Sequence, residues 1–423
     1  MLGLPQLRFV EGLLDSLRAA YDHPNRELHF DDLFIALLLA FYNPVVRSLR
    51  GVEDASQMPG INRHLDIAAI KRSTAGDAMS AFDPQLLLPL IHDLRQQVTP
   101  RQMDETDETL RGLLNRLLAF DGSYFRTACD VGWALRERHG RRKLLRSRVR
   151  LNLHFSVRSG LPTGVSIAGD GDPSEAASLL EDLQPGQIVV ADRGCFSHDT
   201  VHQLLGRKVD FVLRLQSGVK CQVLPGVAER PLTPEDREAG VLSDQTVVLS
   251  GCKNPHPPVP LRLVTIQPKS DSTRDGAATD NTPELPGQLP GQFPGAPSPI
   301  RLLTSVQEPS IPAWMIGHLY RRRWDIELFF RWLKTCARWE HLLSESRGGM
   351  LMQFYVALIG TLLLAVVTGR QPDRYSFNLM CLAAQGYGSV DDALAIYQRR
   401  CAERDRDRER RRQRLVAHGK KSA

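Results

Sequence analysis

The stretch "QIVVADRG", Gln187–Gly194, runs four apolar residues together and closes on Asp192, Arg193 and Gly194. A short unbroken apolar run that stops at an acid and a glycine reads as a buried strand with the acid at its end. "LLAFDGS", Leu117–Ser123, has the same form and closes on Asp121 and Gly122. Strand-like runs follow at 149–157 ("VRLNLHFSV") and 163–168 ("TGVSIA"), with a helical pattern at 174–183 before the run at 187–192. A helix near 198–206 and a strand at 209–215 ("VDFVLRL") come after it. The order predicts an α/β chain with a mixed sheet. Asp followed closely by Gly at a strand end is usually a turn, but in an RNase H-like sheet the first and fourth strands would be neighbours and these two acids would converge.

A third acid sits in "YRRRWDIELFFRWLK", Tyr320–Lys334, which holds five cations and two acids. Taken as one helix at ~100° per residue, it places Tyr320, Arg323, Glu327 and Lys334 on one polar stripe, with Arg331 beside them. Ile326, Phe329, Phe330 and Leu333 form the opposite, apolar face. Arg321 and Arg322 lie off the stripe, and Arg322 turns towards the apolar side. Ion pairs between neighbouring turns would explain a stripe of mixed charge. The excess of cations around Glu327 goes beyond pairing, and a carboxylate among phosphate-binding groups suits metal-assisted chemistry on nucleic acid.

The net charge is +6 over 423 residues, but it is unevenly placed. Residues 136–150 hold eight basic and one acidic residue, and residues 399–421 hold eleven basic and four acidic. Concentrated cations are what a polyanion-binding protein carries; each run taken alone is equally a solvated helix or a disordered arm. The seven cysteines, at 129, 195, 221, 252, 336, 381 and 401, are scattered and odd in number. That spacing indicates neither a zinc site nor a disulfide framework, and it fits a reducing cytoplasm. The amino terminus lacks the pattern of a signal peptide. "MLMQFYVALIGTLLLAVVTG", Met350–Gly369, is uncharged and long enough to span a bilayer; Gln353, Thr361 and Thr368 favour a buried core helix instead.

Residues 1–104 read as an all-helical, DNA-binding domain, with patterns at 6–20, 31–42 and 66–98 punctuated by Pro84 and Pro89. The segments 47–56 and 66–82 are compatible with a helix-turn-helix. Residues 105–215 then form the first part of an RNase H-like core, and 216–306 read as an inserted β-strand subdomain. Its strands are "QTVVLSG", "LRLVTIQ" and "IRLLTSV", and its segment 268–299, rich in Pro, Gly, Ser and Asp, reads as a disordered loop. Residues 307–369 complete the core, and 370–423 form a helical, basic carboxy-terminal region.

The run Tyr320, Arg323, Glu327, Lys334 has the Y-(2)-R-(3)-E-(6)-K spacing of the insertion-sequence-4 family of DDE transposases. "DGS" at Asp121 and "ADRG" at Asp192 resemble that family's first two acidic motifs. The resemblance spans roughly residues 110–368, including a β-strand insertion between the second Asp and the Glu. It implies that Asp121, Asp192 and Glu327 bind two Mg²⁺ ions, with Mn²⁺ able to substitute. It also implies that Tyr320, Arg323 and Lys334 contact the DNA backbone, and Arg331 and Arg193 extend that surface. The implied activity is binding of terminal inverted repeats, hydrolytic cleavage, and transfer of the 3′-hydroxyl ends to target DNA by a homodimer at the nucleoid. An RNase H-like nuclease without strand transfer and a non-catalytic, transposase-derived DNA-binding protein are the alternatives.

Overall fold

The computed structural model describes residues 8–21, 26–59, 67–101, 107–127, 131–139, 144–251, 257–268, 298–335 and 342–419. It opens with helices α1 (Arg8–Ala20), α2 (Phe30–Tyr42), α3 (Leu49–Ser56), α4 (Arg72–Ala81), α5 (Leu88–Gln97) and α6 (Glu108–Asn115). Strands β1 (Leu117–Arg126), β2 (Leu135–His139), β3 (Leu144–Ser156) and β4 (Leu161–Ala168) follow. Then come α7 (Glu175–Ser178), β5 (Ile188–Ala191), α8 (His198–Gly206) and β6 (Asp210–Arg214). The next segment holds β7 (Lys220–Val223), α9 (Pro234–Glu238), β8 (Val241–Ser250), β9 (Leu261–Ile266) and β10 (Ile300–Thr304). Helices α10 (Ala313–Arg321), α11 (Trp324–Thr335), α12 (Arg347–Thr368), α13 (Arg374–Ala384) and α14 (Val390–Gly419) complete the chain.

All ten strands join one mixed sheet. β1, β5 and β6 run parallel, β3 lies antiparallel against β1, and β4 pairs with β3. β10 pairs antiparallel with β6, and β9, β8 and β7 follow outward. The strands at 216–306 therefore extend the central sheet itself. Side chains alternate between its faces. Ala119, Val190, Val212 and Leu302 join a core with the covering helices, while Leu118, Val189, Phe211 and Leu303 join a second core with Val201 and Leu204 of α8.

Helix α12 is buried almost throughout from Gly349 to Ala365. Among the described residues it alone is long and apolar enough to cross a membrane, yet it fills the first core. Its polar groups are satisfied: Gln353 accepts the Leu343 N–H at 2.7 Å and Thr361 donates to the Ala357 carbonyl at 2.7 Å. At Gly360 an added Cβ would lie 2.5 Å from the Phe41 ring, so the glycine lets α2 approach closely, and the Tyr42 hydroxyl donates to the Gly360 carbonyl. The amino-terminal helices thus share one core with the helices that cover the sheet.

Four local expectations change. The first strand does not close on Asp121 but runs on to Arg126, because its pairing with β3 continues past the point where β5 ends. In the basic run 136–150 the described residues, 136–139 and 144–150, are strand: they pair as β2 and β3, Leu135 opposite Arg148 through His139 opposite Leu144. The helix expected over 174–183 is the single turn of α7. The stripe 320–334 is two helices, because the chain turns at Arg322 and Arg323 between α10 and α11. The loop 268–299 lies, but for its ends, outside the described residues.

β8 and β9 carry the most buried ion pair. Arg262, 1% exposed, meets Asp244 with two bonds of 2.9 and 2.6 Å and donates to the Ile311 carbonyl at 2.8 Å. This ties the added strands to the segment that leads into α10. Removing one partner leaves a buried charge unpaired, so Arg262→Met is expected to cost about 3–5 kcal/mol, read as a lower urea midpoint. Arg262→Met with Asp244→Leu should recover most of the loss; a double variant no more stable than the single one would contradict this account of the pair.

Candidate active site

Leu117 stands opposite Ile188 and Ala119 opposite Val190 on the parallel strands β1 and β5. Asp121 and Asp192 each lie two residues beyond a paired position of β1 with β5, so they stand side by side where those two strands part; Asp192 follows the last residue of β5, while Asp121 stays in the sheet, opposite Leu153 of β3. Helices α10 and α11 close over that place. Tyr320, at the end of α10, donates its hydroxyl to Asp192 Oδ1 at 3.0 Å. Arg323, in the turn, reaches Asp121 Oδ2 with Nη1 at 3.4 Å and Glu327 Oε1 with Nη2 at 2.6 Å. Lys334 Nζ donates to Ser123 Oγ at 2.7 Å and lies 4.8 Å from the Phe125 ring centre. Arg214 Nη1 stands 3.6 Å from Asp192 Oδ1.

The three acids and the cations of the motif thus meet in one place, although the helix that joined them on paper is broken. Ile326, Phe330 and Leu333 hold α11 on the core, while Glu327 and Lys334 face the sheet. Arg331 is exposed on α11, and Arg193 is exposed in the 3₁₀ turn after Asp192. Arg322 pairs with Asp325 at 3.0 Å rather than with another element, and Arg101 joins the same carboxylate at 3.3 Å.

Two carboxylates are pushed in opposite directions. Burial raises the Asp121 carboxyl to about 6 against the pull of Arg323 and the Gly122 N–H, with Glu175 and Glu327 adding to the rise. At Asp192 burial also raises, but the Arg193 N–H, Arg323, the Tyr320 hydroxyl and Arg214 outweigh it and hold the group below the usual range. Burial pushes the Tyr320 hydroxyl up, helped by Asp192 against the opposing pull of Arg323. The donor set is all oxygen, which fits a hard divalent cation such as Mg²⁺. Among the described residues no three His, Cys, Asp or Glu side chains already stand in ligating geometry, and the Arg323 guanidinium bridges Asp121 and Glu327.

One acid at this place went unread in the sequence. Glu175 Oε1 accepts the Gly122 N–H at 3.1 Å. Its signal was indirect: each Asp is followed within two residues by a glycine, the mark of a close approach.

A sheet that delivers two acids to one place, and a helix that adds a third beside Tyr, Arg and Lys, describe the transposase DDE domain. The model of that family matches residues 112–363, more than half of the chain, and the chain belongs to it. It is also similar to the protein named "Putative transposase y4zB" of Sinorhizobium fredii, at 25% identity over 185 residues. That match covers 44% of this chain and 43% of the relative, so the chain spans less than half of the relative's length.

The raised Asp121 carboxyl gives a pH dependence with a definite sign. The folded-state value, about 6, lies above the unfolded one. The cost of ionising the group in place is therefore absent below pH 4, grows between pH 4 and 6, and is complete above, on the order of 2–3 kcal/mol. Asp121→Asn should raise the Tm of metal-free protein at pH 7.5 and leave it unchanged near pH 4. A variant less stable than wild type at pH 7.5 would mean that the pair with Arg323 outweighs burial.

Proposed function

We propose that the protein is a DDE transposase of the insertion-sequence-4 type with an RNase H-like catalytic core. On this reading it cleaves DNA at the terminal inverted repeats of its element and joins the freed 3′-hydroxyl ends to target DNA. The observation that carries this is the meeting of Asp121, Asp192 and Glu327 around the Arg323 guanidinium, with Tyr320 and Lys334 at its rim. The strand order β4-β3-β1-β5-β6, with β1, β5 and β6 parallel, supports the RNase H-like assignment.

Asp121, Asp192 and Glu327 would hold two Mg²⁺ ions, or Mn²⁺. When bound, such ions activate a water or a 3′-hydroxyl and stabilise the leaving oxygen of a phosphodiester. The chain's own groups position the substrate. Arg323 spans two carboxylates in the DNA-free protein, so it must turn from at least one of them as the cations arrive. It then stands free to grip the phosphate beside the scissile bond with charge-assisted hydrogen bonds. Lys334 is held against Ser123 and Phe125, two and four residues past Asp121 on β1, and would bind the next phosphate. Arg331 and Arg193, exposed on either flank, would follow the backbone outward. Residues 1–104 would read the repeat sequence, since phosphate contacts position DNA without identifying it. A homodimer at the nucleoid would pair the two ends.

Cleavage of a labelled end-containing duplex should require Mg²⁺ or Mn²⁺ and should vanish with Asp121→Asn, Asp192→Asn or Glu327→Gln, with duplex binding retained. Wild-type cleavage by any one of these variants would remove that residue from the site. Strand-transfer products separate a transposase from a nuclease of the same fold. Arg323→Ala and Lys334→Ala should slow single-turnover cleavage by roughly 1–3 kcal/mol. Arg321, exposed at the end of α10, should matter much less. Equal damage from Arg321→Ala in folded protein would mean that the Arg323 face does not meet DNA.

A further inference from the structure

One side chain to which no role has been assigned stands beside both aspartate-bearing segments, the middle of β1 and the turn after β5. Glu175 opens α7, and its Oε1 accepts the Gly122 N–H at 3.1 Å, the amide next to Asp121. A Cβ at Gly122 would lie 3.0 Å from that oxygen, and a Cβ at Gly194 would lie 3.5 Å from the other, Oε2. The carboxylate is thus bonded to the residue that follows Asp121 and lies beside the turn that follows Asp192. Cys195, 2% exposed, lies beneath them; burial pushes its thiol up, and Glu175, Asp121 and Asp192 all add to that rise.

Glu175 is itself held from two sides. Arg150 donates from Nε to Asn152 Oδ1 at 2.8 Å and from Nη2 to the Pro173 carbonyl at 2.9 Å, fixing the chain just before Glu175 to β3. Arg347, at the start of the core helix α12, meets Asp172 with two bonds of 2.9 and 2.6 Å. Ser174 caps α7 by accepting the Ala177 N–H at 3.3 Å. An exposed polar loop needs none of this. A single-turn helix anchored to both the sheet and α12 presents one carboxylate at one place.

We propose that Glu175 is a positioning residue of the catalytic centre, setting the part of β1 that carries Asp121 through the Gly122 amide and standing beside the turn that follows Asp192, where Gly194 leaves room for it. The proposal rests on the metal-binding reading of those acids. Partners of this kind typically change metal affinity or activity by about 10- to 100-fold.

The test measures Mn²⁺ binding to the full-length, DNA-free protein by electron paramagnetic resonance, and single-turnover cleavage at saturating duplex. Glu175→Ala should weaken Mn²⁺ binding and slow cleavage, each by about tenfold or more, without changing duplex affinity. Glu175→Gln keeps an oxygen that can accept the Gly122 N–H, so it should bind Mn²⁺ within about twofold of wild type on the same argument. An alanine variant equal to wild type in both measurements, or a glutamine variant as impaired as alanine, would overturn the proposal. If the alanine variant does not fold, Glu175→Asp, one methylene too short to reach the Gly122 N–H, replaces it. Aspartate impaired beside intact glutamine supports the role, and equal behaviour sinks it. Wild-type protein that binds no Mn²⁺ would instead bring down the metal reading itself, and this proposal with it.

Discussion

The Arg323 guanidinium is the contact on which the candidate site depends. Asp121, Asp192 and Glu327 arrive from β1, β5 and α11, and three carboxylates at one place repel one another. Arg323 offsets this by bridging Asp121 and Glu327 and by lying within the field of Asp192. It can do so only from the turn between α10 and α11. In one continuous helix Arg323 and Glu327 would still be neighbours, but Tyr320 and Arg323 would be bound to a single helical face. The break lets Tyr320 end one helix against Asp192 while Arg323 opens towards Asp121.

The sheet supplies the other half of the arrangement. Parallel pairing of β1 with β5 brings both aspartates side by side where the two strands part, and opposite side-chain faces are sealed by two separate cores. Because the register is fixed by buried residues on both faces, a one-residue slip would move every apolar side chain to the wrong side. The Asp121 carboxyl bears a cost of burial that nothing in the metal-free chain removes. An unfavourable charge kept in place at a site is the usual sign that stability has been yielded to function.

Much of this could be read beforehand because it is local. Short apolar runs ahead of Asp121 and Asp192 announced two strands, of which the second closes before its acid and the first runs on to Arg126, and the spaced motif picked out the residues that gather around Glu327. What could not be read depends on distant pairing. No periodicity says that β10 lies on β6 and carries the strands of 216–306 into the same sheet. The described parts of the basic run, 136–139 and 144–150, pair with each other, and β3 is held in the sheet by β1, which its charge pattern does not announce. The turn at Arg322 has no Pro or Gly to mark it; it is set by how α10 and α11 each seat on the core. Glu175 is one acid in a polar loop, and only the glycines at 122 and 194 hinted that a side chain stands close to both aspartate-bearing segments.

The central claim is that Asp121, Asp192 and Glu327 form one divalent-cation centre which Arg323 closes in the absence of metal. Anomalous scattering from crystals of the protein with an end-containing duplex, soaked in Mn²⁺, tests it directly. The account predicts manganese peaks bounded by these three carboxylates, with the Arg323 guanidinium turned from at least one of them onto a DNA phosphate. Saturating Mn²⁺ and bound duplex with no manganese between the three carboxylates, and Arg323 still bridging Asp121 and Glu327, would contradict it.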